Sequence, residues 1–177
     1  MKKTFSEIIK PVLVLTLICA VVTFALAYVN SVTAPIIAKS QEEEAQKARA
    51  EVLKDGDTFT KIDVDNLPQT VTEVYRAENG AGYVFMLAAK GYGGDMKLIC
   101  GINSSGEIEE CKTLSHNETS GLGSKTAEDP YRSQYSGKTA DTLNQVDAIT
   151  GATISSNAYK NAVTDALEAY KTVKEAE

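Results

Sequence analysis

The sequence predicts an α+β fold, in which a small antiparallel sheet packs against helices and one transmembrane helix precedes it at the N-terminus. An apolar run near the N-terminus is long enough to cross a bilayer as a helix. Stretches rich in β-branched and aromatic residues, separated by short turn sequences, occupy the middle of the chain and indicate strands. The C-terminal segment repeats apolar residues at spacings of three and four, which is typical of a helix that packs on a sheet.

The N-terminal apolar run covers residues 12–29, and its only polar members are two threonines. As a helix this run would extend about 27 Å, close to the hydrocarbon thickness of a bilayer. Three lysines precede the run, so the positive-inside tendency predicts a cytoplasmic N-terminus and an extracytoplasmic main domain. We therefore predict a single-pass protein of the cell inner or plasma membrane.

A cleaved signal peptide is the alternative interpretation of the same segment. Residues 12–24 would form its apolar core, and Ala25-Leu26-Ala27 fits a small-x-small cleavage site. The apolar run continues to Val29 and so reaches spanning length, which favours a retained anchor. Both interpretations export the same domain.

Charge excludes one class of partner. The formal net charge of the chain is −6, and its first 30 residues carry three lysines and one glutamate, so the remainder carries −8. Nucleic acid phosphates and anionic lipid headgroups would repel such a domain, and no DNA or RNA partner is expected. The sequence also predicts no metal site, because it has a single histidine and no cysteines at ligand spacing.

Two hairpins are predicted downstream of the anchor. In the first, residues 71–76 and 83–88 are strands separated by the turn sequence ENG. In the second, residues 98–103 and 107–112 are strands separated by SSG.

Two helices complete the predicted domain. Residues 36–53 are rich in Ala, Glu, Gln and Lys and predict a helix leaving the membrane, which the DGD sequence at 55–57 would end. Residues 156–174 carry the apolar stripe of a closing helix, with Ser155 or Ser156 as its N-cap.

The cysteines of the second hairpin raise the question of a disulfide in an exported domain. If Ile102 faces Ile108, regular alternation places Cys100 opposite Glu110, one residue away from Cys111. The two thiols would then point to opposite faces of the sheet, and this register predicts no bridge.

The sequence DAITGAT, residues 147–153, lies immediately ahead of the closing helix. Unpaired amides and the positive end of a helix dipole attract phosphate at such a place. Gly151 permits a positive φ, Ala152 leaves room beside the main chain, and Thr153 offers a hydroxyl. A simple helix cap is the alternative interpretation.

Two glycine-rich loops are further candidates. Residues 91–95 read GYGGD, which is either a close approach to a ligand or a tight turn, and their spacing matches neither the dinucleotide fingerprint nor the P-loop. Residues 116–123 read HNETSGLG, and no serine or cysteine nucleophile lies near the histidine. No catalytic residue is predicted.

DAITGAT resembles the flavinylation motif of the FMN-binding domain family, (D/N)-x-x-(S/T)-G-A-(T/S), in which FMN is attached through its phosphate to the last residue. The resemblance implies a phosphodiester to FMN on Thr153. It further implies that a flavin transferase recognises the other motif residues, which are Asp147, Thr150, Gly151 and Ala152.

HNETSGLG resembles the H-x-E-T-x-G-L-G segment of G-type subunits of Rnf electron-transport complexes and of the related C subunits of sodium-pumping quinone reductases. By that resemblance Leu122 would lie against the flavin ring. The implied cofactor contacts in the two loops are Gly93, Gly94, Glu118, Thr119, Gly121, Leu122 and Gly123.

The resemblance covers nearly the whole chain, in the same order of elements, and the short length favours the Rnf relative. It implies three parts: a cytoplasmic tail and transmembrane anchor (1–30), a helical linker (31–57) and an extracytoplasmic FMN-binding domain (58–177). The implied function is that of a membrane-anchored flavoprotein electron carrier, in a complex that couples electron transfer between ferredoxin and NAD to ion translocation. The implied partners are the other subunits of that complex, the flavin transferase and the lipid bilayer.

Two hypotheses from other classes remain open on the residues alone. In one, the chain is a flavin-free structural subunit, and DAITGAT only caps a helix. In the other, it is an extracytoplasmic module that binds a small ligand reversibly between the two glycine-rich loops.

Overall fold

The computed structural model describes residues 2–176. Its longer elements are the helix α1 and five strands, followed by a short helix and a long closing helix: α1 Lys2–Val52, β1 Phe59–Ile62, β2 Val71–Ala77, β3 Gly82–Lys90, β4 Asp95–Asn103, β5 Ile108–Ser115, α2 Asp129–Arg132 and α3 Thr153–Ala176. Three short 3-10 turns lie between β5 and α3, at Gly123–Ala127, Ser133–Tyr135 and Leu143–Gln145. The chain forms two compact units, which divide between Glu44 and Ala45.

The first unit consists of most of α1. This helix is long and apolar enough to cross a membrane, as the sequence predicted. It runs without a break through Pro11 and Pro35, so the predicted membrane helix and the predicted helix beyond Pro35 are one element. Its large apolar side chains are exposed throughout residues 12–37, which suits a lipid surrounding better than water.

The second unit is built on one five-stranded sheet in the order β1-β2-β3-β4-β5, with every neighbouring pair antiparallel. Both predicted hairpins are present. In the β4–β5 turn the side-chain oxygen of Asn103 accepts hydrogen bonds from the backbone N–H groups of Ser105 (3.0 Å) and Glu107 (3.1 Å). This local network sets the point at which the chain reverses.

The register of the β4–β5 pair differs from the predicted one. Ile102 does face Ile108, but the next ladder position skips Glu109, and Cys100 lies directly opposite Cys111. Such a bulge adds one residue to one strand and shifts the alternation of side chains between the two faces. The prediction that the two thiols point to opposite faces is therefore wrong, since both lie in the same buried cluster.

The α3 helix covers one face of the sheet with the predicted apolar stripe. Tyr170 is half-buried at its edge, and its hydroxyl donates a 2.8 Å hydrogen bond to the carbonyl oxygen of Ser104. The fully covered members of the stripe are Tyr159, Ala162, Val163, Ala166, Leu167 and Val173.

The last turns of α1 cover the opposite face. Ala48 and Val52 pack there with side chains of β2, β3 and β4. Gly101 of β4 faces this contact, where a Cβ atom would collide with the carbonyl oxygen of Val52. The glycine thus lets the end of α1 lie directly on the sheet.

Three tyrosines fill the space between α3 and the segment that follows β5. Tyr131 and Tyr135 share a 2.8 Å hydrogen bond between their hydroxyls, and both rings pack against Tyr159. The Tyr131 hydroxyl also lies 3.1 Å from the carbonyl oxygen of Ser156, to which it can donate. The cluster therefore fixes the first turns of α3 relative to the rest of the domain.

Candidate functional site

A cavity of about 440 Å³ opens beside the first turn of α3. Its volume lies in the range of small-molecule sites in proteins. Three separate segments form it: the loop after β3, the loop after β5, and the chain that enters α3. The lining residues are Tyr92, Glu118, Thr119, Leu122, Gly123, Gly151, Ala152, Thr153, Ile154 and Ser155.

Glu118 holds these three segments together. Its carboxylate is buried, with 9% of the residue exposed, and each oxygen accepts one hydrogen bond. Oε1 accepts from the backbone N–H of Gly93 at 3.1 Å, and Oε2 accepts from the Ser155 hydroxyl at 2.7 Å. Hydrogen bonds to a charged acceptor are the stronger kind, so this side chain is a structural centre of the site.

Two glycines make room for that carboxylate. A Cβ atom on Gly91 would collide with Oε1 of Glu118, and one on Gly123 would collide with Oε2 and lie 2.8 Å from Oγ of Ser155. The GYGG turn itself is closed by a 2.9 Å hydrogen bond from the N–H of Gly91 to the carbonyl oxygen of Gly94. The predicted tight turn is therefore present, and it also contacts the second loop.

The first turn of α3 is where the structure changes the sequence prediction. The helix begins at Thr153, so Ser155 and Ser156 lie inside its first turn, and neither is the N-cap. The helix starts earlier because the N–H of Ser156 already donates to the carbonyl oxygen of Ala152 at 2.9 Å. The Ser156 hydroxyl instead accepts a 3.0 Å hydrogen bond from the N–H of Ile149, which folds the DAITGAT segment back onto the helix.

Thr153 is exposed at the start of α3 and lines the cavity. The N–H groups of a first helical turn have no partners within the helix, and they point toward whatever lies at the N-terminus. The residue before this turn is the buried Ala152, and Gly151 has a φ of 81°, as the sequence predicted. An ideal Cβ on Gly151 would lie 3.5 Å from Cδ2 of Leu122, so the second loop and DAITGAT are in contact.

Seven of the predicted site residues line the cavity: Glu118, Thr119, Leu122, Gly123, Gly151, Ala152 and Thr153. The other five are absent from its lining: Gly93, Gly94, Gly121, Asp147 and Thr150. Of these, Gly93 acts on the site through its hydrogen bond to Glu118, and Gly121 has a φ of 76° in the turn that carries Leu122. Asp147 and Thr150 are exposed outside the cavity.

Sequence reasoning missed three lining residues, Tyr92, Ile154 and Ser155. The sequence did offer a signal for Tyr92, because it is an aromatic residue between two glycines. In the structure its side chain is well exposed. Ile154 is an exposed apolar residue in the first turn of α3, and it lines the cavity only because residues of the two loops lie beside it. Ser155 was interpreted as a cap, and only its contact with Glu118 places it in the site.

The cavity has no cationic lining residue among those that the structure describes, and its one carboxylate is already hydrogen-bonded. An anionic group at this place would therefore depend on backbone amides and hydroxyl groups at the start of α3.

Comparison with known proteins identifies the two regions separately. Residues 91–168, which contain both glycine-rich loops and DAITGAT, match the FMN-binding domain, and residues 1–52 match the RnfG N-terminal region. The G subunit of the proton-translocating ferredoxin:NAD(+) oxidoreductase complex of Clostridium ljungdahlii is 31% identical to this chain, over 87% of this chain and 86% of its own length. The chain belongs to the Rnf G-subunit family. The resemblance found in the sequence is thereby confirmed.

Other Rnf G subunits show similar agreement. The G subunit of the Na(+)-translocating ferredoxin:NAD(+) oxidoreductase complex of Acetobacterium woodii is 31% identical over 90% of this chain and 89% of its own length. The G subunit of an ion-translocating oxidoreductase complex of Shewanella piezotolerans is 29% identical over 89% and 87%. Membership in the family makes the chain an electron-transport flavoprotein subunit, and with α1 it indicates a membrane-anchored one.

The residues at the cavity fit FMN. The volume is that of a small-molecule site, a helix N-terminus suits a phosphate, and apolar side chains beside glycines suit a flat aromatic ring. The exposed hydroxyl of Thr153 lies at the same helix end.

Proposed function

We propose that FMN is attached through a phosphodiester to Thr153, and that the chain carries electrons within an Rnf-type complex. In this proposal the complex couples electron transfer between ferredoxin and NAD to ion translocation. The observation that carries the proposal is the position of Thr153: an exposed hydroxyl on the first residue of α3, at the wall of the cavity.

The N-terminus of α3 is suited to bind the phosphate group of FMN. A phosphodiester keeps a negative charge, which the unpaired amides and dipole of the helix N-terminus stabilise. Because the described lining lacks a lysine or arginine, these amides are the main source of positive potential in the cavity. Covalent attachment then supplies the retention that a cationic pocket would otherwise provide.

Three exposed apolar side chains are suited to contact the isoalloxazine ring of FMN. Tyr92 is 73% exposed, Ile154 58% and Leu122 46%, and all three line the cavity. Large apolar side chains grouped at a cavity are typical of a surface that a ligand covers. We infer that they contact the isoalloxazine ring, with Leu122 held in place by the Gly121 turn.

The chain's own part in turnover is to hold the cofactor. Bound FMN supplies the electron-accepting and electron-donating chemistry, and the protein positions the ring and sets its environment. No general acid or base is required for this, and we assign no catalytic residue.

Maturation gives a role to two motif residues outside the cavity. Asp147 and Thr150 are exposed, and neither lines the cavity that would hold the ring. A flavin transferase must bind the segment from outside, so exposed side chains beside Thr153 are available to it. We propose that these two residues are read by the transferase and do not hold the flavin.

The remaining partners follow from α1 and from the family. We propose that α1 spans the lipid bilayer with the N-terminus in the cytoplasm, that residues 58–177 form an extracytoplasmic FMN-binding domain, and that the other subunits of the complex surround it. Relatives of equal identity are named for different ions, protons in one and Na(+) in the other, so overall identity does not indicate the coupling ion.

The decisive experiment compares the protein made in cells with and without the flavin transferase. We expect fluorescence of the denatured band and an added FMN mass on the peptide that contains Thr153, both only with the transferase. Thr153→Ser should keep some attachment because it keeps a hydroxyl, while Thr153→Ala should lose it and stay folded. Thr172→Ala, the same change near the other end of α3, is the matched control and should keep full fluorescence.

Other outcomes would select the alternative hypotheses. A wild-type peptide without added mass would refute attachment. Yellow colour that leaves on unfolding would indicate reversible ligand binding, and a colourless protein from transferase-containing cells would indicate a flavin-free structural subunit.

A further inference from the structure

The two cysteines of the β4–β5 hairpin lie side by side in the core. Cys100 and Cys111 are directly opposite in the antiparallel ladder, and their Sγ atoms are 3.1 Å apart. Directly opposite residues in such a ladder have Cα atoms about 4.5–5.5 Å apart, which is within the range that a disulfide requires. The sulfur atoms would need to approach by only about 1 Å to reach bonding distance.

The two thiols are buried, and the described residues around them do not form a metal site. Cys100 and Cys111 have 0% and 1% of their surface exposed. Burial raises the pKa of the Cys111 thiol well above its usual value, and the neighbouring Cys100 raises it further. In the folded, reduced domain the thiolate is therefore scarce and out of reach of solvent.

We propose that Cys100 and Cys111 form a disulfide that joins β4 to β5 when a disulfide-bonded thiol oxidant meets the chain during folding. The thiolate of one cysteine attacks the oxidant's disulfide and releases one reduced thiol. The second cysteine's thiolate then attacks the mixed disulfide and releases the other. The two cysteines together lose two protons and two electrons, and the oxidant becomes two thiols.

The bulge in β5 is what brings the pair together, so the disulfide would lock this irregular register. A register slip by one residue would move the cysteines to opposite faces of the sheet. The same strand leads directly into HNETSGLG, so the bond would also fix the start of the site loop relative to the sheet. Oxidants of this class act in extracytoplasmic compartments, so formation of the bond in cells rests on the proposed orientation of α1, whereas the geometry of the hairpin depends neither on that orientation nor on the flavin.

The test uses the purified full-length chain in detergent, reduced, unfolded in urea and refolded in a mixture of oxidised and reduced glutathione. We expect Cys100 and Cys111 to resist alkylation under denaturing conditions until a reductant is added, and peptide mapping should find them linked to each other. Cys19 lies outside the pair and is an internal control, since it should be alkylated or carry glutathione, and should not be linked to either cysteine of the pair. The folded reduced protein should form the bond much more slowly in the same mixture, because its thiols are buried.

The bond should also stabilise the domain. It would close a loop of about a dozen residues, so the folding equilibrium constant of the oxidised domain should exceed that of the reduced domain by about 100-fold in urea titrations. The Cys100→Ala/Cys111→Ala double variant should show no difference between the two conditions. Refolded wild type with both thiols free, with glutathione attached, or with either one linked to Cys19 would overturn the proposal.

Discussion

The hydroxyl of Ser155 donates a 2.7 Å hydrogen bond to Oε2 of Glu118, and this bond joins the first turn of α3 to the loop that follows β5. The other carboxylate oxygen accepts from Gly93 in the loop that follows β3. One buried side chain therefore holds together the three segments that line the cavity.

Replacing the carboxylate of Glu118 by an amide should destabilise the domain. In Glu118→Gln the amide oxygen can still accept from Gly93, and the Ser155 hydroxyl can turn to accept from the new NH2 group, so both contacts persist but lose their charged acceptor. A hydrogen bond to a charged group contributes about 1 kcal/mol more than a neutral one, so we expect a loss of about 2 kcal/mol in the free energy of unfolding in urea. Glu128→Gln, the same change at an exposed position, is the control and should have little effect.

A variant of Ser155, the hydrogen-bond partner of Glu118, tests this bond directly. Ser155→Ala leaves Oε2 of the buried Glu118 carboxylate without this donor, so it should cost at least as much as Glu118→Gln. The double variant should cost less than the sum of the two, because both changes alter the same bond. Strict additivity in this cycle would contradict the assigned hydrogen bond.

Gly151→Ala should affect both stability and flavin attachment. The φ of 81° disfavours any side chain, at a cost of about 1–2 kcal/mol, although the added Cβ would find only an ordinary contact with Leu122. Gly80→Ala is the matched control, since its φ is 75° and nothing lies within 4 Å of the added Cβ. Both variants should lose similar stability, while only Gly151→Ala should give less flavin fluorescence in the denatured band. Equal flavin loss in both would show that stability alone controls attachment.

Tyr92→Ala should alter the flavin without altering the fold. The side chain is 73% exposed, so its removal should change the free energy of unfolding by less than about 0.5 kcal/mol. In the flavinylated protein we expect stronger flavin fluorescence and easier quenching by iodide, because an aromatic neighbour no longer covers the ring. Tyr28→Ala in α1 is the control, and fluorescence identical to wild type in Tyr92→Ala would refute the contact.

Alkaline pH should unfold the domain through its buried tyrosines. Burial is the main cause that raises the pKa values of Tyr131, Tyr135 and Tyr159 above the usual value of about 10. A raised folded-state pKa means that the unfolded phenols ionise first, so the stabilisation is complete below about pH 10 and is lost as the pH rises above it. The free energy of unfolding should therefore fall steeply above pH 10.

A phenylalanine variant checks the cause. Tyr135→Phe removes one of the three titrating groups, so the fall above pH 10 should become shallower, although the variant starts less stable because Tyr131 loses a hydrogen-bond partner. Tyr92→Phe at the exposed position should leave the slope unchanged. A slope unaffected by Tyr135→Phe would show that other groups cause the alkaline unfolding.

Local patterns in the sequence were sufficient for both hairpins and for the apolar face of the closing helix, but not for β1, α2 or the 3-10 turns. The apolar stripe from Tyr159 to Val173 predicted the face that α3 buries, and the turn sequences ENG and SSG predicted both hairpins. Alternation and helical spacing act between near neighbours in the chain, so a sequence displays them directly. The motif DAITGAT likewise predicted the positive φ of Gly151, because a local backbone conformation depends mostly on local residues.

The contacts of the site join residues that are far apart along the chain, and local sequence patterns do not predict such contacts. Glu118 was predicted to contact the cofactor, but its bonds to Gly93 and Ser155 join positions 25 and 37 residues away along the chain. Tyr92 and Ile154 acquire a shared cavity only when those segments meet. The sequence by itself determined the two hairpins, the apolar stripe of the closing helix and the family, whereas the start of α3 at Thr153 came from the structure. The tertiary structure alone decided that a bulge pairs Cys100 with Cys111 and that one carboxylate holds the site, because strand register and loop convergence are settled by packing between distant residues.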